Sequence, residues 1–97
     1  MDHPPGFSFI AHRRLEGRPT FSVEGELRNA TGRGWKRVDV VASIYAGQAY
    51  MTYCVKALQH VVEGESRRFM LVCRETAGSD LPENVSYELA VGKAVPE

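Results

Sequence analysis

Residues 21–27 read FSVEGEL and alternate between apolar or small side chains and polar side chains. The odd-numbered positions are Phe21, Val23, Gly25 and Leu27. A period of two is typical of a β-strand with one buried face and one solvated face. We therefore predict a strand here, with the odd-numbered side chains facing a hydrophobic core.

The same alternation recurs on both sides of this segment. It predicts strands at residues 36–46, 49–57, 67–74 and 85–91, and a first strand at residues 7–12. The turn-forming segments 29–34, 46–48 and 63–65 contain glycine and separate the strands. A helix competes only at residues 53–62. Six or seven short strands of this kind favour an all-β fold, either a sandwich or a barrel.

The chain has 97 residues, of which 43% are apolar. That length fits one domain, and the apolar content is enough to fill one core. We assign residues 1–19 to an N-terminal arm that can hold the first strand, residues 20–94 to the β-sandwich domain, and residues 95–97 to a tail.

Charge and hydropathy argue against several classes of main partner. Twelve basic and 12 acidic residues leave no net charge, so we expect no nucleic-acid partner. The apolar runs are too short to cross a bilayer, and we expect no membrane insertion. The polar, proline-rich start lacks the apolar core of a signal peptide. The expected location is the cytoplasm if Met1 is the native start, and the cell envelope if the domain belongs to a longer exported protein.

Three segments together resemble the FxLYD family of bacterial domains. They are residues 23–29 (VEGELRN), 38–46 (VDVVASIYA) and 62–69 (VEGESRRF). The family pattern is a Gly-x-Val-x-Asn strand, a long strand ending in Leu-Tyr-Asp, and a Pro-Gly-Glu turn before a buried Phe. This chain departs from the pattern at Ile44, Ala46 and Glu63.

The likeness to this family extends over residues 21–92. It implies an immunoglobulin-like β-sandwich of about seven antiparallel strands. It also implies a domain without catalytic activity, of the accessory or adhesion type that is often found in envelope proteins.

Three residues have a predicted structural role. Gly25 lies inside a strand, which indicates a bulge or a close approach of the facing sheet, leaving room for Trp35 or Tyr45. Gly64 is expected to adopt a positive φ in its turn. Phe69 is expected to be a central core residue.

The two cysteines, Cys54 and Cys73, could form one disulfide that joins two strands. The alternation places Cys73 on the inward face of its strand, and it places Cys54 on the less apolar face of its own strand. Opposed faces cannot bring the two Cβ atoms together, although a bulge near Cys54 would reverse its face. We therefore expect two reduced thiols and no disulfide.

No motif indicates an enzyme, a metal site or a cofactor. The histidines (His3, His12 and His60) lie in separate segments without metal-ligand spacing. The carboxylates Glu24 and Glu26 alternate with apolar residues, as they do on any solvated strand face. A nucleophile elbow and a phosphate-binding glycine loop are both missing from the sequence. We predict no catalytic residue, no metal and no cofactor.

Because we predict no catalytic site, we expect the protein to act by binding through its surface. The uncharged, aromatic segment 50–53 includes Tyr50, Met51 and Tyr53 and is expected near a sheet edge. It favours a noncatalytic protein-interaction module that binds a protein partner or a second copy, by strand addition or through an exposed aromatic face. The opposing interpretation is that Met51 and Tyr53 simply fill the core.

Two further functions remain open at this stage. One is a carbohydrate- or small-ligand-binding sandwich that uses Trp35, Tyr45 and Tyr50 as a stacking platform. The other is weak binding of single-stranded nucleic acid by arginines near turns, including Arg13, Arg33 and Arg67.

Overall fold

The structure is a computed structural model that describes residues 6–15, 20–73 and 85–97. Within them lie six strands and no helix. The strands are β1 (Phe7–Arg14), β2 (Ser22–Asn29), β3 (Trp35–Ala46), β4 (Ala49–Val61), β5 (Ser66–Val72) and β6 (Val85–Pro96). They form two three-stranded antiparallel sheets, with the orders β1-β2-β5 and β4-β3-β6. The all-β prediction is confirmed, with six strands in the described residues instead of about seven.

One core lies between the two sheets. Val23 and Leu27 of β2 and Val38 and Val40 of β3 are fully buried, and they belong to a single hydrophobic cluster. The predicted inner faces of β2 and β3 are confirmed. These side chains alternate because the pleat points every second residue to the same side.

Strand pairing extends several elements beyond the predicted limits. β4 continues to Val61 through the segment where a helix was the competing prediction. β6 pairs with β3 as far as Pro96, so the predicted tail begins within a strand. β1 pairs with β2 from Phe7 to Arg14, so the arm contributes a full strand to the first sheet. Arg74, predicted to end β5, lies outside the described residues.

Gly25 allows a close approach, although not of the residue expected. A Cβ at this position would lie 2.8 Å from Cζ of Phe69 and 2.9 Å from the carbonyl oxygen of Ala11. The prediction that Gly25 makes room for Trp35 or Tyr45 is wrong. The neighbour is Phe69, its cross-strand partner on β5, which is buried as predicted. Gly64 has a φ of 79°, which confirms its predicted turn conformation.

A polar network closes one end of the molecule, where the turns 30–34 and 62–65 meet. The side-chain nitrogen of fully buried Asn29 donates to the carbonyl oxygens of Arg33 (2.9 Å) and Val62 (3.0 Å). Its side-chain oxygen accepts hydrogen bonds from the backbone N–H and the hydroxyl of Thr31. Asn29 therefore joins both turns through a single side chain. We call this the Asn29 network.

A disulfide between Cys54 and Cys73 links the two sheets elsewhere, with a Cα–Cα distance of 5.3 Å. The expectation of two reduced thiols is wrong, because the face of β4 was misassigned. Cys54 and Leu58 point inward and are buried. The more apolar odd-numbered side chains Met51, Tyr53 and Val55 instead face solvent. Apolar content therefore identified the wrong side of this strand.

Candidate functional site

Four exposed apolar side chains cluster in the first half of β4. Tyr50, Met51, Tyr53 and Val55 are 56%, 42%, 57% and 45% exposed. They are four of the seven large hydrophobic side chains that are exposed in the described part of the chain. The interpretation in which Met51 and Tyr53 fill the core is wrong. We call these four residues the β4 patch.

A bulge shapes the start of this patch. The β3–β4 register shifts between Ile44, which pairs with Thr52, and Tyr45, which pairs with Tyr50. Met51 is therefore the extra residue on β4. As a result, the rings of Tyr45 and Tyr50 meet edge to face at 5.8 Å. The sequence placed these tyrosines in one candidate site, and the structure brings them together.

Trp35 does not belong to this site. It is only 5% exposed, and its ring packs against Phe7 at 5.5 Å. Its indole N–H donates to the Thr31 hydroxyl at 2.8 Å, which connects it to the Asn29 network. Trp35 and Tyr45 lie near opposite ends of β3, roughly 33 Å apart along an extended strand. The predicted stacking platform of Trp35, Tyr45 and Tyr50 is therefore not formed.

The patch lies on an outer strand of its sheet. β4 is hydrogen-bonded to β3 on one side, and no described strand pairs with it on the other. Alternate backbone N–H and C=O groups of such a strand point away from its neighbour and can accept another strand. From Thr52 to Leu58 the β3–β4 register is regular. We call these seven residues the open stretch.

The other outer strands carry features that discourage pairing. β1 has a register shift between Phe9 and Ala11. β5 carries Arg67 and Arg68, and β6 carries Lys93 and ends at Pro96. Charged side chains, prolines and bulges are the usual protection of sheet edges. The open stretch has Lys56 as its only charge.

The far end of β4 is protected as well. The Arg67 guanidinium donates to the carbonyl oxygens of Gln59 (3.1 Å) and His60 (2.8 Å). His60 has a φ of 55°, a conformation that is rare outside glycine and that departs from regular strand geometry. These contacts end the open stretch at Leu58.

Glu65 holds the arginine in place. Its carboxylate accepts hydrogen bonds from Arg67 and from the backbone N–H of Val62. The Arg67 hydrogen bond, followed by that of Val62, keeps the pKa of the Glu65 carboxyl below its ordinary value of 4.5. At neutral pH the pair is therefore charged, and it fixes the guanidinium over the end of β4.

Several arginines proposed for nucleic-acid binding are already engaged. Arg13 pairs with Glu24, Arg37 pairs with Asp39, and Arg67 pairs with Glu65. The Arg33 guanidinium lies 5.3 Å from the centre of the Trp35 ring. These contacts would have to be given up, or would compete, if the same arginines bound phosphate groups.

A shallow groove of about 300 Å³ runs over Gly25 on the β1-β2-β5 sheet. Its lining includes Arg13, Glu24, Glu26 and Arg68, two opposite-charge pairs on neighbouring strands. Gly25, Ala11 and Phe69 also line the groove. Because these charges face each other, the groove has no excess of one sign to attract an ion.

A second polar contact connects the two sheets near this groove. The Tyr87 hydroxyl lies 2.8 Å from Nδ1 of His12, and the two rings meet edge to face at 5.4 Å. Burial raises the pKa of the Tyr87 hydroxyl above its ordinary value. Tyr87 therefore stays protonated at neutral pH and acts as a hydrogen-bonding side chain between the layers.

Among residues 6–15, 20–73 and 85–97, no group of three or more His, Cys, Asp or Glu side chains is arranged to hold a metal ion. The same residues include no helix that is long and apolar enough to span a membrane. No protein-family model, curated protein or solved structure matches the chain. The resemblance to FxLYD domains therefore stays a prediction.

Proposed function

We propose that this chain is a noncatalytic interaction module that binds a protein partner through β4. The observation that carries the proposal is the β4 patch: four exposed apolar side chains on an outer strand whose open stretch has a single charge. Exposed apolar groups of this kind mark interaction surfaces, and sheet edges accept partner strands.

The edge and the exposed face make different contributions to binding. Backbone groups along the open stretch supply hydrogen bonds that do not depend on the partner's sequence. Tyr53 and Val55, which project beside that edge, supply specificity through their side chains. Aromatic residues are enriched at interfaces because they bury a large area with few rotatable bonds.

The proposal extends to fold type and location. The strand orders β1-β2-β5 and β4-β3-β6 correspond to the orders A-B-E and C′-C-F of an immunoglobulin-like sandwich, which supports that fold and the FxLYD resemblance. The Cys54–Cys73 disulfide supports an oxidising location such as the cell envelope, because cytoplasmic thiols are kept reduced.

The test uses isotope-labelled protein and a panel of synthetic ten-residue peptides with alternating apolar and polar residues. We expect at least one peptide to shift the amide resonances of residues 50–58. Tyr53→Lys should weaken that binding at least about tenfold, because it places a charge on the binding face.

Met70→Lys is the matched control. Met70 is 40% exposed on β5, an outer strand of the other sheet, so its replacement should leave peptide binding unchanged. Binding that is unaffected by Tyr53→Lys, or no binding across the panel, would contradict the proposal.

A further inference from the structure

We propose that the partner of β4 is a second copy of this chain, paired antiparallel along the open stretch with a two-fold axis at Val55. This inference rests on the proposed function and names the occupant of the same surface. Two three-stranded sheets would then join into one six-stranded sheet across the dimer.

The length of the open stretch selects this register. The bulge at Met51 limits the stretch on one side, and the Arg67 contacts to Gln59 and His60 limit it on the other. A two-fold axis at Val55 pairs Thr52 with Leu58 of the second copy and uses all seven residues. Any other symmetric register would pair fewer residues or run into one of these limits.

In this register, the alternation of side chains along the two strands brings the exposed residues of both copies together. Directly opposite residues in an antiparallel pair point to the same face of the sheet. Val55 therefore meets its own copy, and Tyr53 lies opposite Ala57 of the second copy. Val55 is 45% exposed and Tyr53 is 57% exposed. The two Val55 side chains would form the centre of a row. On each side of them, the ring of Tyr53 from one copy would lie against the small side chain of Ala57 from the other, so the row is complementary to itself.

Charge permits this association. Lys56 is the only charged residue in the open stretch, and in this register it lies opposite Cys54 and not opposite another charge. The whole chain has no net charge at pH 7, so two copies do not repel each other at long range. A nucleic acid or an anionic surface would find only one positive charge, Lys56, along the open stretch.

The test is sedimentation of the oxidised full chain from about 10 µM to about 1 mM, a range suited to a small, weak interface. We expect a concentration-dependent monomer–dimer equilibrium. Val55→Lys and Val55→Glu should each weaken it on the order of a hundredfold, because two like charges then meet directly across the axis. An equimolar mixture of the two variants should recover the dimer, since the opposite charges attract.

Val62→Lys serves as the control, because Val62 is 60% exposed but lies in the turn after β4. It should dimerise like the original chain, and circular dichroism should show that all variants keep the β fold.

A chain that stays monomeric at about 1 mM would overturn this inference, as would a dimer that is unaffected by Val55→Lys. So would mixed Val55 variants that fail to recover the dimer. If the chain is monomeric while peptides still bind at residues 50–58, the second copy is the wrong partner and the proposed function stands. If neither association is detected, both proposals fail.

Discussion

The two halves of β4 are held in place by different means. Its second half is fixed by polar contacts: Arg67 binds the carbonyl oxygens of Gln59 and His60, and the Asn29 network reaches Val62 directly after the strand. Its first half has one covalent anchor, the disulfide at Cys54, and exposes Tyr53 and Val55. Hydrogen bonds that stabilise an outer strand through its backbone carbonyl oxygens also prevent a partner strand from using those groups. A disulfide on the inward face holds the strand while its outer side stays available to a partner.

Removing the Asn29 side chain, which supports the second half of β4, should cause the largest loss of stability. Asn29→Ala removes four hydrogen bonds of this fully buried side chain, to Thr31, Arg33 and Val62. We expect the free energy of unfolding to fall by about 3–5 kcal/mol, since each lost hydrogen bond costs about 1 kcal/mol and the truncated side chain leaves a cavity. Urea denaturation measures the loss. Thr31→Ser, which keeps the hydroxyl of the same network, should cost less than about 1 kcal/mol.

Removing the disulfide should have the next largest effect. The bond joins residues separated by 19 positions, for which chain entropy predicts a stabilisation of about 3 kcal/mol. The variant with both Cys54→Ala and Cys73→Ala should lose about that amount. Amide hydrogen exchange should accelerate more at residues 50–55 than at residues 57–61. Equal acceleration in both segments would show that β4 behaves as one unit.

Arg67→Met should open the protected half at a smaller cost, about 1–2 kcal/mol, because hydrogen bonds from a charged group to two carbonyl oxygens are lost. The free edge should then extend beyond Leu58, and the variant should self-associate more strongly in sedimentation. Arg68→Met is the control, since Arg68 is exposed and donates to neither carbonyl. If the two variants sediment alike, Arg67 does not protect the edge.

Acid should produce the smallest effect. The pKa of Glu65 is lower in the folded chain than its ordinary value of 4.5, chiefly because of the Arg67 hydrogen bond. Its contribution to stability is therefore present above pH 4.5 and is lost as the pH falls through the folded pKa. Denaturation midpoints measured between pH 7 and pH 3 should decline less steeply for Glu65→Gln than for the original chain. An identical pH dependence would show that Glu65 does not contribute to the loss of stability in acid.

Much of the fold could be predicted from alternation alone. β2 and β3 each have one face that is consistently apolar or small, and the structure buries the large apolar side chains of that face. The prediction for β4 was wrong because its outward face carries Tyr53 and Val55, whereas the alternate positions that include buried Cys54 also hold Thr52 and the exposed Lys56. A sequence does not reveal which face is inward when the exposed face is the more apolar one, as it is in the first half of β4.

Only part of the candidate site could be predicted from the sequence. Segment 50–53 was selected because it is uncharged and aromatic, and it is exposed on an outer strand as expected. Trp35 was misplaced because an indole is equally suited to a core and to a platform, and only the Thr31 hydroxyl and the Phe7 ring decide between them. The Arg67 contacts had no sequence signal, since they depend on how β5 returns alongside β4.

The disulfide and the turn between β4 and β5 together enclose residues 54–73 in a covalent ring that crosses from one sheet to the other. A protease that cuts the exposed turn at residues 62–64 would therefore not separate the two fragments. They would migrate as one species until a reductant is added. In a protease-rich environment the molecule could thus be nicked and still keep both sheets, together with the open side of β4.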